Sequence, residues 1–122
     1  MRRTLLALAL ALGLALGATA CAIPGDPIVL DESTVIIDVR TADEFATGHL
    51  EGALNIDVQE ASFDTLVSEL DADGTYLVYC RSGNRSGQAI ERMTALGFTD
   101  LTNGGGVENA SQITGLSIVT GP

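Results

Sequence analysis

The sequence predicts an α/β fold in which a mainly parallel central sheet of about five strands is flanked by helices. Short runs of β-branched and apolar residues alternate with segments of helical spacing, which is the pattern of strand–helix–strand units. The clearest strand, residues 35–39, is almost continuously apolar, as is typical of a strand buried on both faces of a parallel sheet. A chain of 122 residues has the usual length of one domain.

The predicted strands are short and are bounded by turn residues or by helices. In order, they are residues 28–30, 35–39, 53–56, 76–79 and 99–102. The first is expected at an edge of the sheet, and Cys80 follows the carboxyl end of the fourth. Three glycines at residues 104–106 indicate a turn or a close approach of two backbones after the last strand.

Helical segments separate these strands. They are predicted at residues 42–47, 62–70 and 86–96, with one further helical turn near residues 107–113. Thr41 and Glu44 form a capping-box pattern at the start of the first helix, and Ser62 can cap the second. Gly48 and Gly97 end the first and third helices.

The first 20 residues have the pattern of a secretory signal peptide. A basic start at Arg2 and Arg3 is followed by an apolar run over residues 5–18, which is too short for a transmembrane helix. We therefore predict that residues 1–20 are cleaved from the mature protein. The remaining chain divides into a tether at residues 21–27 and a domain at residues 28–122. The Pro and Gly residues of the tether disfavour regular secondary structure.

Residues 17–21 (GATAC) resemble a bacterial lipobox, which implies that Cys21 becomes the mature N-terminus and carries lipid. The alternative is ordinary cleavage after Ala20, which would leave Cys21 as a free thiol. With lipidation, the expected location is the bacterial cell envelope, outside the cytoplasm, and Cys80 has no disulfide partner.

The mature chain is strongly acidic. It has four arginines, no lysine and all sixteen carboxylates, which is a net charge of −12. Such a surface argues against nucleic acid or an anionic membrane surface as a partner, so membrane association is expected through the lipid anchor only. Arg81 and Arg85 lie within five residues of Cys80, and a small anion would therefore be attracted to that place.

The loop at residues 80–86 (CRSGNRS) combines a nucleophile with features that bind anions. It connects the carboxyl end of a strand to a helix, which is where open α/β sheets bind ligands. Backbone N–H groups of such a Gly-containing loop can converge on one anion, and the start of the following helix adds positive potential. Together with Arg81 and Arg85, they are expected to lower the pKa of the Cys80 thiol.

This loop resembles the active-site loop of rhodanese-type thiosulfate sulfurtransferases. Four earlier segments resemble the first half of that family in order and spacing, namely residues 37–40 (IDVR), 44–45 (EF), 48–53 (GHLEGA) and 55–56 (NI). The resemblance covers about residues 35–106 and implies the three-layer rhodanese-like fold. One departure is that the chain has no Trp, whereas many single-domain members have one soon after the glycines.

The resemblance implies a sulfurtransferase in which the Cys80 thiolate takes sulfur from a small anionic donor such as thiosulfate. The Cys80 persulfide would then pass that sulfur to a thiol or to cyanide. The substrate-binding residues implied are Arg81, Ser82, Gly83, Asn84, Arg85 and Ser86. Arg81 and Arg85 would attract the donor, and an equal alternative for either is a structural salt bridge to Asp38 or Glu44.

Three further polar residues have supporting roles in this interpretation. Asp38 and Arg40 lie at the end of another strand and could support the loop. His49 is the only histidine, and its position between Gly48 and Leu50 favours a hydrogen-bonded structural role over general-base catalysis. One histidine and one uncommitted cysteine argue against a zinc site, and no cofactor is expected.

Two other functions compete with this interpretation. Cysteine-dependent phosphatases have five residues between Cys and Arg, whereas four separate Cys80 from Arg85, so the loop should be too narrow for phosphate. The same objection applies to arsenate reduction on this scaffold. A non-enzymatic persulfide carrier or binding module is the second alternative, and the intact loop does not distinguish a carrier from an enzyme.

Overall fold

Four parallel strands form the central sheet in the computed structural model, which describes residues 25–122. The elements in chain order are β1 (Val35–Asp38), α1 (Ala42–Thr47), β2 (His49–Leu50), β3 (Leu54–Asn55), α2 (Phe63–Val67), β4 (Thr75–Cys80), α3 (Asn84–Ala95), β5 (Asp100–Gly106), α4 (Val107–Thr114) and β6 (Ile118–Val119). The strand order is β3-β1-β4-β5, so β4 and Cys80 are central. The predicted α/β class with a mainly parallel sheet is confirmed.

The predicted signal peptide, the lipidation of Cys21 and most of the tether lie outside the described residues. Within residues 25–122, no helix has the length and apolar character needed to cross a membrane.

The apolar residues of β1 and β4 alternate between two cores, one on each face of the sheet. On one face, Ile37, Val78 and Cys80 pack with side chains of α2 and α3. On the other face, Ile36 and Leu77 lie in a cluster with residues of β2 and α4. Helices therefore cover both faces of the sheet, which is the three-layer arrangement that the resemblance implied.

Helix α1 begins and ends where its sequence signals are. The Thr41 hydroxyl accepts a hydrogen bond of 3.2 Å from the Glu44 N–H, which satisfies one donor of the first turn. The Gly48 N–H then donates to the Phe45 carbonyl and closes the last turn. This segment places the Glu44 carboxylate toward the Cys80 loop, because Glu44 binds Arg85 of α3.

The predicted edge strand at residues 28–30 is wrong, and the central sheet therefore has four strands rather than five. The Ile28 N–H donates instead to the Ile113 carbonyl, 2.9 Å away at the end of α4. The side chains of Ile28 and Leu30 pack against the core on that face. A small antiparallel ribbon of β2 and β6 was not predicted, because two-residue strands have no measurable periodicity.

Strand β5 is longer than predicted and includes the three glycines. The pairing with β4 shifts by one residue between Val78 and Tyr79, so that Cys80 lies opposite Gly106. A Cβ atom on Gly106 would lie 2.5 Å from the Arg81 carbonyl oxygen, which shows how closely the two backbones approach. The glycines thus make a close approach rather than a turn, and they bring β5 against the Cys80 loop.

Two helix predictions need smaller corrections. Ser62 makes no side-chain capping bond to α2, and the helix proper stops at Val67. Leu66 and Leu96, predicted on buried stripes, are 42% and 40% exposed. Helix α3 begins at Asn84, earlier than the predicted start near Ser86.

Candidate active site

Cys80 is the last residue of β4 and is 0% exposed. Its side chain points to the face of the sheet that α3 covers, among apolar residues of that core. The next three residues form the turn that leads into α3, and the exposed side chains of Arg81, Ser82 and Asn84 surround it. Because Cys80 is fully buried, contact between its sulfur and a donor molecule requires a local movement of the residues that cover it.

Gly83 gives the loop its shape. Its φ of +94° lies in the left-handed region, where other residues are strained. This conformation directs the Gly83 N–H at the Cys80 sulfur, 3.0 Å away. A Cβ atom at this position would also lie 3.3 Å from the Gly105 Cα, so glycine is required by the turn and by the neighbouring strand.

Hydrogen bonds around the sulfur favour its ionised form. Burial raises the pKa of the Cys80 thiol, but hydrogen bonds from the Ser86 hydroxyl and from the N–H groups of Ser86, Ser82 and Gly83 together lower it by more. The net result is a pKa below the ordinary value of a cysteine. The Ser86 hydroxyl lies 3.4 Å from the sulfur, at the first turn of α3. The arrangement favours the thiolate form of Cys80, with a backbone donor directed at its sulfur.

Arg85 is paired with Glu44 rather than free. Its guanidinium donates two hydrogen bonds of 2.8 Å, one to each carboxylate oxygen. The bonds from Arg85 lower the pKa of Glu44 to about 2, so the carboxylate stays charged near neutral pH. Of the two partners considered from the sequence, Glu44 is therefore the one that Arg85 binds. The pair attaches the Cys80 loop to α1.

Arg81 is exposed and forms no ion pair with any residue from 25 to 122. The other three arginines in that part of the chain are paired with Asp38, Glu44 and Asp64. Arg81 therefore carries the only uncompensated guanidinium among the described residues, and it directly follows the nucleophile. A small anion approaching this acidic protein would meet its attractive charge here.

Asp38 and Arg40 form a buried ion pair at the end of β1. The Asp38 carboxylate accepts bonds from the Arg40 backbone N–H, Nε and Nη2, the last at 2.7 Å. Arg40 also donates to the Gly48 carbonyl. The Asn55 amide donates to the carbonyls of both partners. These bonds connect β1, β3 and the end of α1, and they do not reach the Cys80 loop directly.

His49 is buried between structural partners. Its Nδ1 lies 2.8 Å from the Phe45 carbonyl, and its ring stacks on the Phe45 ring with centroids 3.6 Å apart. This position agrees with the structural role favoured for the only histidine of the chain.

Asn103 is a neighbour of the loop that the sequence did not identify. Its amide oxygen accepts from the Ser86 hydroxyl at 2.7 Å, and its amide nitrogen donates to the Gly83 carbonyl at 3.1 Å. It lies on β5, far from Cys80 in the chain. The pairing of β5 with β4 is the signal that could have located it, because both strands end beside the loop.

An open groove of about 420 Å³ lies elsewhere, at the amino-terminal end of β1. It is lined by Leu30, Thr34, Val35, Ile36, Glu51, Gly52, Leu54 and Leu116. Cys80 ends β4 at the opposite end of the sheet, so this groove is separate from the thiol.

Comparisons with known proteins identify one family. The family model described as "Rhodanese-like domain" matches residues 28–110. The chain is 36% identical over 73 residues to the thiosulfate sulfurtransferase PspE of Escherichia coli, a match that covers 60% of this chain and 70% of that protein. It is 33% identical over 73 residues to the putative sulfur carrier protein YrkF of Bacillus subtilis, of which it covers 38%. Among solved structures, "rhodanese with anions from E. coli" is 33% identical with a TM-score of 0.59, over 72% of this chain and 99% of that one.

Proposed function

The chain belongs to the family of rhodanese-like domains, and from that premise we propose that it moves sulfane sulfur from an anionic donor such as thiosulfate to a thiol or cyanide. The observation that supports this most directly is the Cys80 sulfur at the end of β4, with the Gly83 N–H 3.0 Å away and a lowered pKa. A thiolate held by backbone donors is the nucleophile that such a transfer needs.

The reaction proposed has two displacements. In the first, the Cys80 thiolate attacks the outer sulfur of thiosulfate, the sulfur–sulfur bond of the donor breaks, and sulfite leaves with the electron pair. The product is a Cys80 persulfide whose outer sulfur carries the negative charge. In the second, the acceptor attacks that outer sulfur, and the Cys80 thiolate leaves. Neither step requires an oxidant, a metal or a cofactor.

The loop supplies the electrostatic stabilisation for these steps. The Gly83 N–H donates to the Cys80 sulfur at 3.0 Å, and the N–H groups of Ser82 and Ser86 also lower the pKa of the thiol. When the outer sulfur is added, these N–H donors can stabilise its negative charge. The start of α3, at Asn84, adds the positive end of a helix to the same place.

Two observations favour sulfur over phosphate as the transferred group. Only four residues separate Cys80 from Arg85, and the Arg85 guanidinium is occupied by both oxygens of Glu44. A phosphatase needs that guanidinium to bind the oxygens of a tetrahedral group. Turnover of a generic aryl phosphate that depends on Cys80 would contradict the proposal and favour the phosphatase alternative.

Incubation of the purified protein with thiosulfate is expected to increase its mass by one sulfur atom, located on the peptide that contains Cys80. The Cys21→Ser variant is the matched control, because it removes the second cysteine and should gain the same mass. Subsequent addition of cyanide should remove the sulfur as thiocyanate. Absence of any gain while Cys80 remains open to alkylation would contradict the proposal. Repeated turnover distinguishes an enzyme from a carrier that is loaded only once.

Arg81→Ala is expected to lower kcat/KM for thiosulfate by about tenfold, because it removes a guanidinium that no carboxylate compensates. Arg81→Lys retains the charge and should keep most of the activity. The effect of Arg81→Ala should decrease at high salt, because exposed charges are screened. Equal activity of Arg81→Ala and the unaltered protein at low salt would show that Arg81 does not attract the donor.

A further inference from the structure

The Asn103 side chain connects three groups beside the active-site cysteine. Its oxygen accepts from the Gly105 N–H at 2.9 Å and from the Ser86 hydroxyl at 2.7 Å. Its nitrogen donates to the Gly83 carbonyl at 3.1 Å. Gly83 and Ser86 are also the residues whose N–H and hydroxyl lie nearest to the Cys80 sulfur. Asn103 therefore contacts two residues that contact the nucleophile.

The orientation of the Asn103 amide is determined by partners that have only one hydrogen-bonding role. The Gly105 N–H can only donate, so the group facing it must be the amide oxygen. The Gly83 carbonyl can only accept, so the group facing it must be the amide nitrogen. It follows that the atom facing the Ser86 hydroxyl is an acceptor, and that Ser86 donates its proton to Asn103.

This orientation creates competition for one proton. The Ser86 hydroxyl has a single hydrogen, and two acceptors lie within reach of it, the Asn103 oxygen at 2.7 Å and the Cys80 sulfur at 3.4 Å. While Cys80 is a thiol, its S–H can donate to the Ser86 oxygen, and Ser86 can donate to Asn103. A thiolate can only accept, so Ser86 can stabilise it only by turning its hydrogen away from Asn103.

We propose that Asn103 is a positioning residue that holds the Ser86 hydroxyl proton while Cys80 is a thiol and gives it up to the sulfur when the thiolate forms. On ionisation, the S–H proton leaves to solvent and the Ser86 hydroxyl rotates from the Asn103 oxygen to the sulfur. Asn103 thereby opposes the ionisation of Cys80 while it fixes the place of the hydroxyl. The inference rests on the proposed function only in taking the Cys80 thiolate as the nucleophile.

The charged groups near Cys80 come from several elements. They are Arg81 directly after Cys80, Arg85 of α3 with its partner Glu44 of α1, and the Asp38–Arg40 pair at the end of the neighbouring strand β1. As classes, carboxylates ordinarily titrate well below a thiol and guanidiniums well above it. A change in alkylation rate between about pH 6 and 10 therefore reports on Cys80 itself.

The test is the pH dependence of Cys80 alkylation by iodoacetamide, read on the Cys80 peptide by mass spectrometry. Asn103→Leu has nearly the same size and no acceptor, so it should lower the pKa of Cys80 by about half a pH unit or more. A purely structural role predicts the opposite, because a loosened loop moves the Gly83 N–H away from the thiolate. An unchanged or raised pKa would overturn the proposal.

Two variants show whether the effect passes through Ser86. In a Ser86→Ala background, Asn103→Leu should no longer lower the pKa, because no hydroxyl proton is left to release. A decrease that persists there would overturn the proposal. Asn109→Leu is the matched control, because Asn109 donates to the Gly104 carbonyl and does not contact Ser86, and it should leave the pKa unchanged.

If Asn103→Leu does not fold, as judged by its thermal unfolding, Asn103→Ala tests the same prediction with a smaller side chain. The titration uses no sulfur donor. A failure of sulfur loading and a failure of this inference are therefore separate results.

Discussion

Cys80→Ser is expected to abolish sulfur transfer, with a loss of kcat/KM of about a thousandfold or more. The loop would be preserved, because serine has nearly the size of cysteine and can still accept the Gly83 N–H. Its hydroxyl, however, is not ionised near neutral pH, and its oxygen cannot form a persulfide. The measurement is thiocyanate production from thiosulfate and cyanide, together with the mass gain after incubation with thiosulfate.

The control for this variant is its thermal unfolding, which should resemble that of the unaltered protein if only the chemistry is lost. Thiocyanate turnover by folded Cys80→Ser at more than about one per cent of the original rate would be incompatible with a covalent mechanism. Such a result would assign the activity to binding of the donor beside the loop, with direct attack by the acceptor.

Asp38→Ala is expected to lower the free energy of unfolding by about 3–5 kcal/mol, because it leaves the Arg40 guanidinium buried without a counter-charge. Asp38 is 0% exposed, and its carboxylate accepts hydrogen bonds from the Arg40 backbone N–H, Nε and Nη2. The measurement is urea unfolding followed by circular dichroism. A loss of this size is a large part of the stability of a small domain.

A double variant distinguishes an unpaired charge from a general defect in packing. Asp38→Leu combined with Arg40→Met removes both charges, and it should recover most of the stability that Asp38→Ala loses. If Asp38→Ala costs less than about 1 kcal/mol, Arg40 must reach solvent, contrary to the buried pair seen here.

Local signals in the sequence predicted the segments around the nucleophile well. The apolar run at residues 35–39 and the capping box of Thr41 and Glu44 are close to the observed β1 and α1. The same is true of β4 and of the glycine turn at Gly83, because strand periodicity and positive φ are properties of neighbouring residues. Such features depend little on the rest of the molecule.

The errors arose where distant parts of the chain determine the outcome. Residues 28–30 have the composition of a strand, but their partner is the end of α4, which no local pattern shows. Asn103 was missed for a related reason. Its importance comes from the register of β5 on β4, which places Asn103 opposite Val78 and within hydrogen-bond distance of Ser86.

Because the site depends on β5, it can be completed only late in the synthesis of the chain. Cys80 is synthesised before Asn103 and Gly106, and a ribosome adding about 5–20 residues per second needs roughly one to several seconds to cover the interval. Until β5 has paired with β4, neither the approach of Gly106 to the loop nor the bonds of Asn103 exist. The completed active-site loop, held from one side by β5, therefore exists only after the last strand of the central sheet has been synthesised.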